Sequence, residues 1–258
     1  MGPFRLATWN VNSIRTRLIA VLDWLQRERP DVVCLQETKA PDELFPRTPF
    51  EDIGYHVAVS GQKSYNGVAT LARRPITNAR AGFDGDPDPN QKRFLAVETD
   101  GLQVLNLYVP NGSSVGSDKF AYKLAWLRAL RQFLDRNLTP QQAVVAVGDL
   151  NVALEERDVH DPLLWAGEVL FHPDARAALA DLAAWGFEDL FRRHCAAAGQ
   201  YTWWDYRVGA FRRNMGLRID HVWASPPLAA RSTACRIDVE PRRQPSPSDH
   251  APVIADFA

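Results

Sequence analysis

The residues best suited to chemistry in this sequence are acids, amides, a tyrosine and a histidine. Most of them stand where short apolar runs begin or end, and Asp220 falls inside a predicted strand. Along the chain they are Asn10, Asn12, Glu37, Tyr108, Asp149, Asn151, Asp220, Asp249 and His250. Strand ends present side chains rigidly into a cleft, so residues at such positions can converge. A buried carboxylate is costly unless it is paired or bound to a cation. Several acids converging beside buried strands therefore predict a divalent cation held by oxygen ligands, and with it phosphoester chemistry.

Segments with strand and helix signals alternate along the chain and would position these residues. Helical apolar spacing marks residues 14–29 and 119–136, and an Ala-rich helix is expected over residues 174–185. Strands are expected over residues 4–9, 31–36, 55–60, 67–72, 94–98, 104–108, 143–147, 217–224 and 252–257. Since no low-complexity linker divides them, the order predicts one α/β domain over residues 1–258, with two packed sheets and helices outside.

The bulk composition limits the classes of function. The chain has 258 residues, of which 46% are hydrophobic and 24% charged, and its formal net charge is −1. A nucleic-acid surface would therefore have to be a local basic patch. The three cysteines are scattered without metal-ligand spacing, which favours a reducing, cytoplasmic setting. The first residues lack the pattern of a secretory signal, and no apolar run approaches the ~20 residues of a membrane helix, so no membrane contact is expected.

Six short motifs, in order along the chain, resemble the exonuclease III type of apurinic/apyrimidinic endonuclease. They are TWNVNSIR at residues 8–15, LQETK at 35–39, NLYVPNG at 106–112, GDLNVA at 148–153, NMGLRID at 214–220 and SDHAPV at 248–253. One such motif alone is weak, but six in register across nearly the whole chain are specific. The resemblance implies a DNase I-like four-layer α/β-sandwich, in which two packed mixed β-sheets are flanked by helices.

The resemblance also implies a DNA repair enzyme. The expected reaction is hydrolysis of DNA 5′ to abasic sites, with 3′→5′ exonuclease and 3′-end phosphatase or phosphodiesterase activity. The implied cofactor is Mg²⁺, with Mn²⁺ as a substitute, and the implied partner is double-stranded DNA with abasic sites or blocked 3′ ends. A monomer is expected because the face that docks on DNA must stay open. In a bacterium such an enzyme would work in the cytoplasm, at the nucleoid.

Four residues are implied to lie on the metal side of the site. Glu37 resembles the main Mg²⁺ ligand, with Asn10 and Asn12 close to the same ion and Asp249 as a further ligand or a supporting acid. The structural alternative for Glu37 is a strand-end glutamate that caps the next helix. The number of metal ions stays open.

Five residues are implied to act on the phosphate or the water. Asp149 resembles the water-activating carboxylate and Asn151 its phosphate-orienting neighbour, although an Asx turn after a buried strand is the structural alternative. Tyr108 is expected to direct its hydroxyl at the phosphate. His250 is expected to stabilise the phosphate, oriented by Asp220, because an acid partner fixes the imidazole tautomer and raises its pKa. Which of Asp149 and His250 handles the water stays open.

DNA contacts follow from the same resemblance. Arg15, Lys39 and Tyr65 fall on positions that touch backbone phosphates, and Asn111 and Arg207 fall on positions that insert into or brace a kinked duplex. Solvated surface residues are the structural alternative. A further basic rim is expected from Arg212, Arg213, Arg218, Arg242 and Arg243.

An abasic-site pocket is expected from Trp203, Leu217 and Ile219, because an apolar pocket suits a flipped-out sugar that lacks its base. Ordinary core packing is the alternative for these three. His160 lies in a loop near this pocket in relatives, where the residue type varies. We hypothesise that its imidazole narrows the pocket and favours 3′-end processing over internal incision.

Two rival interpretations remain. One is another enzyme on the same scaffold, such as a DNase I-like nonspecific nuclease or a phosphoesterase of a different substrate class, because the fold hosts several activities. The segment WWDYR at residues 203–207 and the motif at residues 214–220 argue against it. The other is a catalytically inactive DNA-binding scaffold, which the presence of every expected acid disfavours.

Overall fold

The computed structural model describes all 258 residues. The strands are β1 (Phe4–Asn10), β2 (Val32–Gln36), β3 (His56–Ser60), β4 (Val68–Ala72), β5 (Thr77–Ala81), β6 (Phe94–Thr99), β7 (Leu102–Tyr108), β8 (Val144–Asp149), β9 (Glu188–Asp189), β10 (Asp220–Ala224), β11 (Ser232–Ile237) and β12 (Val253–Phe257). The helices are α1 (Ile14–Glu28), α2 (Arg47–Glu51), α3 (Asp118–Asn137), α4 (Pro162–Trp165), α5 (Pro173–Ala183), α6 (Leu190–His194) and α7 (Pro226–Ala229). None of these helices combines the length and the apolar character needed to cross a membrane.

The strands form two six-stranded mixed sheets. Their orders are β11-β12-β1-β2-β4-β3 and β5-β6-β7-β8-β10-β9. Each sheet has one parallel pair at its centre, β1 with β2 and β7 with β8, and every other pairing is antiparallel. Since parallel neighbours end at the same edge, the polar residues that follow these four strands are brought together in pairs.

Three hydrophobic layers hold the sheets and helices together. A cluster of 22 buried residues lies between the sheets and draws on strands of both. The outer face of the first sheet packs on α1, and the outer face of the second packs on α3 and α5. The result is the four-layer α/β-sandwich that the resemblance implied. From this shared central core we propose that residues 1–258 form a single domain.

A buried polar link joins the two sheets beneath the site. The Gln36 side-chain amide donates to Asn106 Oδ1 at 2.8 Å, and the Asn106 amide donates to the Ala69 carbonyl at 2.9 Å. Thr8 completes the group through its hydroxyl, which lies 2.9 Å from Gln36 Nε2. Because buried amides are costly unless they are paired, this network fixes how one sheet sits over the other.

The end of β8 requires glycine. Gly148 has a φ of +141°, and a Cβ at this position would lie 1.9 Å from the Leu107 carbonyl oxygen of the neighbouring strand. A side chain would push β7 and β8 apart where Tyr108 and Asp149 are paired in register. The glycine that precedes Asp149 therefore lets the two strand ends stay close.

The sequence-based element predictions were confirmed for the long apolar segments and were incomplete elsewhere. Strands β5, β9 and β11 were not predicted. The β5 segment carries polar, mostly exposed residues and has an irregular register with β6, so it gives no apolar periodicity. The strand predicted over residues 217–224 begins only at Asp220, because Leu217 makes isolated bridges to Val159 and Trp203 instead of a continuous ladder.

Candidate active site

An amide and two acids meet at the shared end of the two parallel strand pairs. Asn10 Nδ2 donates to Glu37 Oε1 at 2.8 Å and to Asp149 Oδ2 at 2.9 Å. Asn10 and Glu37 come from the first sheet, and Asp149 comes from the second, where it is 1% exposed. One amide therefore bridges the carboxylates that the two sheets bring together.

His250 forms the opposite side of this group. Its Nδ1 donates to Asp220 Oδ2 at 2.8 Å, and its Nε2 lies 3.8 Å from Asp149 Oδ2. Asp220 is the first residue of β10 and pairs directly with Asp149. The expected His250–Asp220 pair is therefore formed, and the second ring nitrogen of the histidine faces Asp149.

The charged groups of this cluster shift one another's pKa values. Burial lowers the pKa of His250, but the charges of Asp220 and Asp149 outweigh burial and raise it to about 10. Burial raises the pKa of Asp149 to about 7; the charges of Asp220 and Glu37 add to this rise, while His250 opposes it. At neutral pH the imidazole is therefore protonated and both of its nitrogens are donors.

Glu37 is held by a lysine as well as by Asn10. Lys39 Nζ lies 2.9 Å from Glu37 Oε2. Burial raises the pKa of Glu37, but the Lys39 ammonium and the Asn10 amide outweigh burial and hold that pKa below its ordinary value. Glu37 therefore stays ionised in the absence of any cation.

The other two residues expected on the metal side, Asn12 and Asp249, lie beside this group, and the Asn12 backbone N–H donates to Asn10 Oδ1 at 3.0 Å. Asn12 Nδ2 donates to Asp249 Oδ1 at 2.9 Å, and Trp203 Nε1 donates to Asp249 Oδ2 at 3.0 Å. The Asn12 oxygen accepts from Lys39 Nζ at 2.5 Å. Both oxygens of Asp249 are therefore engaged, and the acid braces the Trp203 side of the site.

Tyr108 sits beside Asp149 at the end of β7. It is 8% exposed, and Arg93 lies over its ring at 4.7 Å. Burial, together with the charges of Glu37 and Asp149, raises the pKa of Tyr108 well above its ordinary value. The hydroxyl therefore keeps its proton and is a donor.

Asn151 is locked by backbone contacts and by a second asparagine. Its backbone N–H donates to Asp149 Oδ1 at 2.9 Å, and its Nδ2 donates to the Val109 carbonyl at 3.0 Å. Asn111 Nδ2 donates to Asn151 Oδ1 at 3.1 Å. Asn151 has a φ of +50°. The Asx turn named above as the structural alternative is therefore present, and the same turn holds Asn151 in the polar site.

The residues expected to line an abasic-site pocket form an aromatic rim over an apolar base. The rings of Trp165 and Trp203 stand edge to face at 6.4 Å, and the His160 ring stands edge to face with Trp165 at 6.2 Å. Leu217 and Ile219 are fully buried in a six-residue cluster beneath this rim. They support the pocket from below, as their core-packing alternative predicted, while Trp203 is partly exposed.

The residues expected to touch DNA differ in how free they are. Arg15, Tyr65, Asn111 and Arg207 are exposed, whereas Lys39 is committed to Glu37 and Asn12.

Two of the arginines expected in the basic rim are also unavailable to DNA. Arg218 is 0% exposed because it forms ion pairs with Asp158 and Asp189, and Arg242 is 6% exposed beneath Tyr206; the basic rim prediction was wrong for both.

Sequence reasoning missed two residues that organise the site. The Thr202 hydroxyl accepts from the backbone N–H groups of Ile219 and Asp220, both at 3.0 Å, and so fixes the start of β10. Arg93 contacts Tyr108, and its position directly before the predicted strand over residues 94–98 was an available signal. Thr202 offered no such signal, because its partners are distant in sequence.

The site fits a divalent cation. Ligand atoms of Glu37, Asp149 and His250 all lie within 4.8 Å of one another. Two of these three residues are carboxylates, and the Asn10 amide contacts both of them, so the site is rich in oxygen ligands and suits a hard cation. Asn10 Oδ1 accepts from the Asn12 backbone N–H at 3.0 Å, so a half-turn that presents this oxygen to a cation would exchange that hydrogen bond for a metal contact.

The chain is similar to known nucleases over nearly its whole length. The model of the Endonuclease/Exonuclease/phosphatase family matches residues 7–250. Exodeoxyribonuclease III of Haemophilus influenzae is 34% identical over 98% of this chain and 99% of its own length. Among solved structures, an AP endonuclease from Archaeoglobus fulgidus is 42% identical with a TM-score of 0.95, covering 98% of this chain and 99% of that one. The 3′ phosphatase NExo from Neisseria, bound to a product DNA hairpin, is 37% identical with a TM-score of 0.95, covering 99% of each chain.

The raised pKa of His250 gives a direct test of the charge arrangement. In Asp220→Asn the hydrogen-bond acceptor remains but its charge is lost, so we expect the His250 pKa to fall by more than about one pH unit. The measurement is ¹⁵N NMR of the imidazole in EDTA between pH 5 and 11. Asp249→Asn is the matched control, since Asp249 contributes least among the neighbouring acids, and its effect should be smaller. Equal titration of His250 in all three proteins would contradict this arrangement.

Proposed function

The chain belongs to the Endonuclease/Exonuclease/phosphatase family, and we propose that its site hydrolyses phosphodiester bonds in damaged double-stranded DNA. It is a DNA repair nuclease of the exonuclease III type. The proposed reactions are incision 5′ to an abasic site, 3′→5′ exonuclease action and removal of 3′ phosphates or other 3′ blocks. All three break the bond between phosphorus and a 3′ oxygen, so one site can perform them.

The single observation that carries the proposal is the pair formed by Asp149 and protonated His250. Attack of water on phosphorus needs a base for the water proton and positive charge for the phosphoryl oxygens. Asp149 Oδ2 and His250 Nε2 offer these two functions 3.8 Å apart. His250 Nδ1 is paired with Asp220, which leaves Nε2 as the nitrogen that can donate to the phosphate, and we assign the proton acceptor to Asp149; the raised pKa of His250 acts in the same direction.

The reaction then proceeds with defined proton and charge positions. The water oxygen bonds to phosphorus, and one water proton passes to Asp149. The bond to the 3′ oxygen breaks on the opposite side, and the released alkoxide takes a proton from solvent to become the 3′ hydroxyl. His250 Nε2–H and the Tyr108 hydroxyl donate to oxygens of the phosphate. Asn151, locked by Asn111 and the Asp149 turn, holds the phosphate in line with the water.

Glu37 and Asn10 are the residues that would hold the divalent cation, which we propose to be Mg²⁺, with Mn²⁺ able to replace it. When bound, the cation supplies positive charge to the phosphate and to the leaving 3′ oxygen. Lys39 keeps Glu37 ionised before the cation arrives. Asn12 and Asp249 are proposed to support the cation site indirectly. Asn12 holds Lys39, and Asp249 holds Trp203.

A polar cleft beside the site supports duplex DNA as the substrate. Its volume is about 540 Å³, and its lining includes Arg93, Lys119, Tyr65 and Asn111. Cations and an exposed aromatic ring suit a phosphate backbone and its bases, although the net charge of the chain is only −1. On the other side, the Trp203 rim would receive an abasic sugar or a blocked 3′ end. We propose a monomer that acts on DNA of the nucleoid, in the cytoplasm.

Cleavage of two defined duplexes tests the proposal. One carries a single tetrahydrofuran abasic analogue and the other a 3′ phosphate, each with Mg²⁺ or with EDTA. We expect cleavage of both in Mg²⁺ only, and a loss of about 10²-fold or more in Asp149→Asn because the proton acceptor is removed. The products are resolved by denaturing gel electrophoresis.

An undamaged duplex with protected 3′ ends is the control. Equal cleavage of that duplex would favour the DNase I-like nonspecific nuclease over repair specificity. No cleavage of any duplex in Mg²⁺ or Mn²⁺ would instead favour the inactive scaffold. Activity that persists unchanged in Asp149→Asn would contradict the assignment of the proton acceptor.

His160 is proposed to set the balance among these reactions. Its ring completes a row with Trp165 and Trp203 at the pocket, so His160→Gly should widen the space for an internal abasic sugar. We expect the ratio of abasic-site incision to 3′-phosphate removal to rise by about tenfold, the range that a change in pocket shape produces. His56→Gly is the control, because His56 is exposed on the edge strand β3 of the other sheet. An unchanged ratio in His160→Gly would refute this role.

A further inference from the structure

One lysine is completely buried beneath the surface proposed to meet DNA. Lys123 is 0% exposed and lies on the face of α3 that also buries Phe120 and Leu127. Its Nζ donates to the backbone carbonyls of Asn151 at 2.7 Å, Val169 at 3.0 Å and Asn111 at 3.1 Å. An ammonium has three N–H groups, and these three carbonyls use all of them.

The lysine has no counter-ion within ion-pairing distance, so an ion pair does not explain why a lysine occupies this buried position. No carboxylate forms a salt bridge with it, and burial lowers the pKa of Lys123 to about 7, opposed only by the charge of Asp149. A methionine would fill similar space on this apolar helix face without that cost. What a methionine would not supply is three donors aimed at three separate carbonyls.

The loop around Lys123 is shaped to admit its stem. Gly112 has a φ of +95°, and a Cβ there would lie 3.1 Å from Lys123 Cδ and 2.7 Å from Val169 Cγ2. The segment after β7 therefore lies directly on the lysine side chain and on the segment before α5. This close approach is independent of the three hydrogen bonds and places the same segments around the same side chain.

The three tethered segments carry different parts of the site. Asn111 and Asn151 are joined by the 3.1 Å side-chain hydrogen bond, and the Asn151 backbone donates to Asp149. Val169 precedes Leu170, which packs in the cluster beneath the Trp203 rim. Lys123 thus connects the segments that handle the phosphate to the segment that supports the pocket.

We propose that Lys123 is a positioning residue that fixes the distance between the phosphate-handling asparagines and the pocket. This role rests on the proposed function, because it concerns where a bound phosphate lies relative to Asp149. With the tether in place, a sugar in the pocket and its phosphate at Asn151 are held in one geometry. Without it, the substrate still binds but the phosphate is displaced from the line of attack.

Kinetics of two variants test the tether. Lys123→Met keeps the stem and removes all three donors, and Lys123→Gln restores two N–H groups. For the abasic duplex we expect kcat to fall by about 10²-fold in Lys123→Met, the loss that a displacement of about 1 Å produces. Lys123→Gln should recover part of kcat. The dissociation constant for the uncleaved duplex, measured in EDTA by fluorescence anisotropy, should change by less than about threefold in both variants.

Leu127→Ala is the matched control for a loss of stability alone. Leu127 is fully buried on the same helix face and contacts none of the tethered carbonyls, so its variant should lose stability but keep kcat. The inference is overturned by a kcat within about threefold of wild type in Lys123→Met, or, should that protein not fold, in Lys123→Leu, which also lacks all three donors. An equal fall of kcat in Leu127→Ala, or a loss confined to DNA binding, would also overturn it. An inactive wild-type enzyme would instead refute the proposed function, so the two failures are distinguishable.

Discussion

The rest of the site depends on one constraint, which is the confinement of negative charge where the two sheets meet. Asp149 and Asp220 are each 1% exposed and adjacent across β8 and β10, and Glu37 faces Asp149 through Asn10. Three acids this close would repel one another strongly in a medium of low polarity. Protonated His250 and Lys39 offset part of that repulsion, and a divalent cation would offset the remainder. The site therefore combines a ready proton acceptor with an electropositive neighbour because the fold forces the acids together.

Several features of the fold hold these charged side chains in fixed relative positions. The parallel pairs β1–β2 and β7–β8 bring their ends to one place, Gly148 keeps two of those ends close, and the Gln36–Asn106 link fixes one sheet over the other. Lys123 extends this order from the strand ends to the loops that follow them. The catalytic side chains are thus positioned by buried polar contacts, which are directional. The apolar layers around these contacts stabilise the fold but have no such directionality.

Much of the catalytic group could be predicted from sequence because each member follows or precedes a buried strand within a short motif. Glu37, Asp149 and His250 belong to this class. The pairing of Lys39 with Glu37, and the engagement of Asp249 by Asn12 and Trp203, could not, because each depends on side-chain directions across loops. Arg218 was misjudged since an arginine next to a predicted site suggests an exposed cation, whereas two acids distant in sequence bury it. Strand β5 escaped because its polar residues leave no apolar alternation to detect.

Glu37 and Asn10 are proposed to hold the cation on the side that faces Asp149, while Asp249 and Asn12 form a brace beside them. Anomalous diffraction from crystals soaked in Mn²⁺ measures this directly. We expect a peak within about 2.0–2.3 Å of a Glu37 carboxylate oxygen, on the side that faces Asp149, and the loss of that peak in Glu37→Gln. A peak coordinated by Asp249 with none at Glu37, or a peak that persists unchanged in Glu37→Gln, would contradict it.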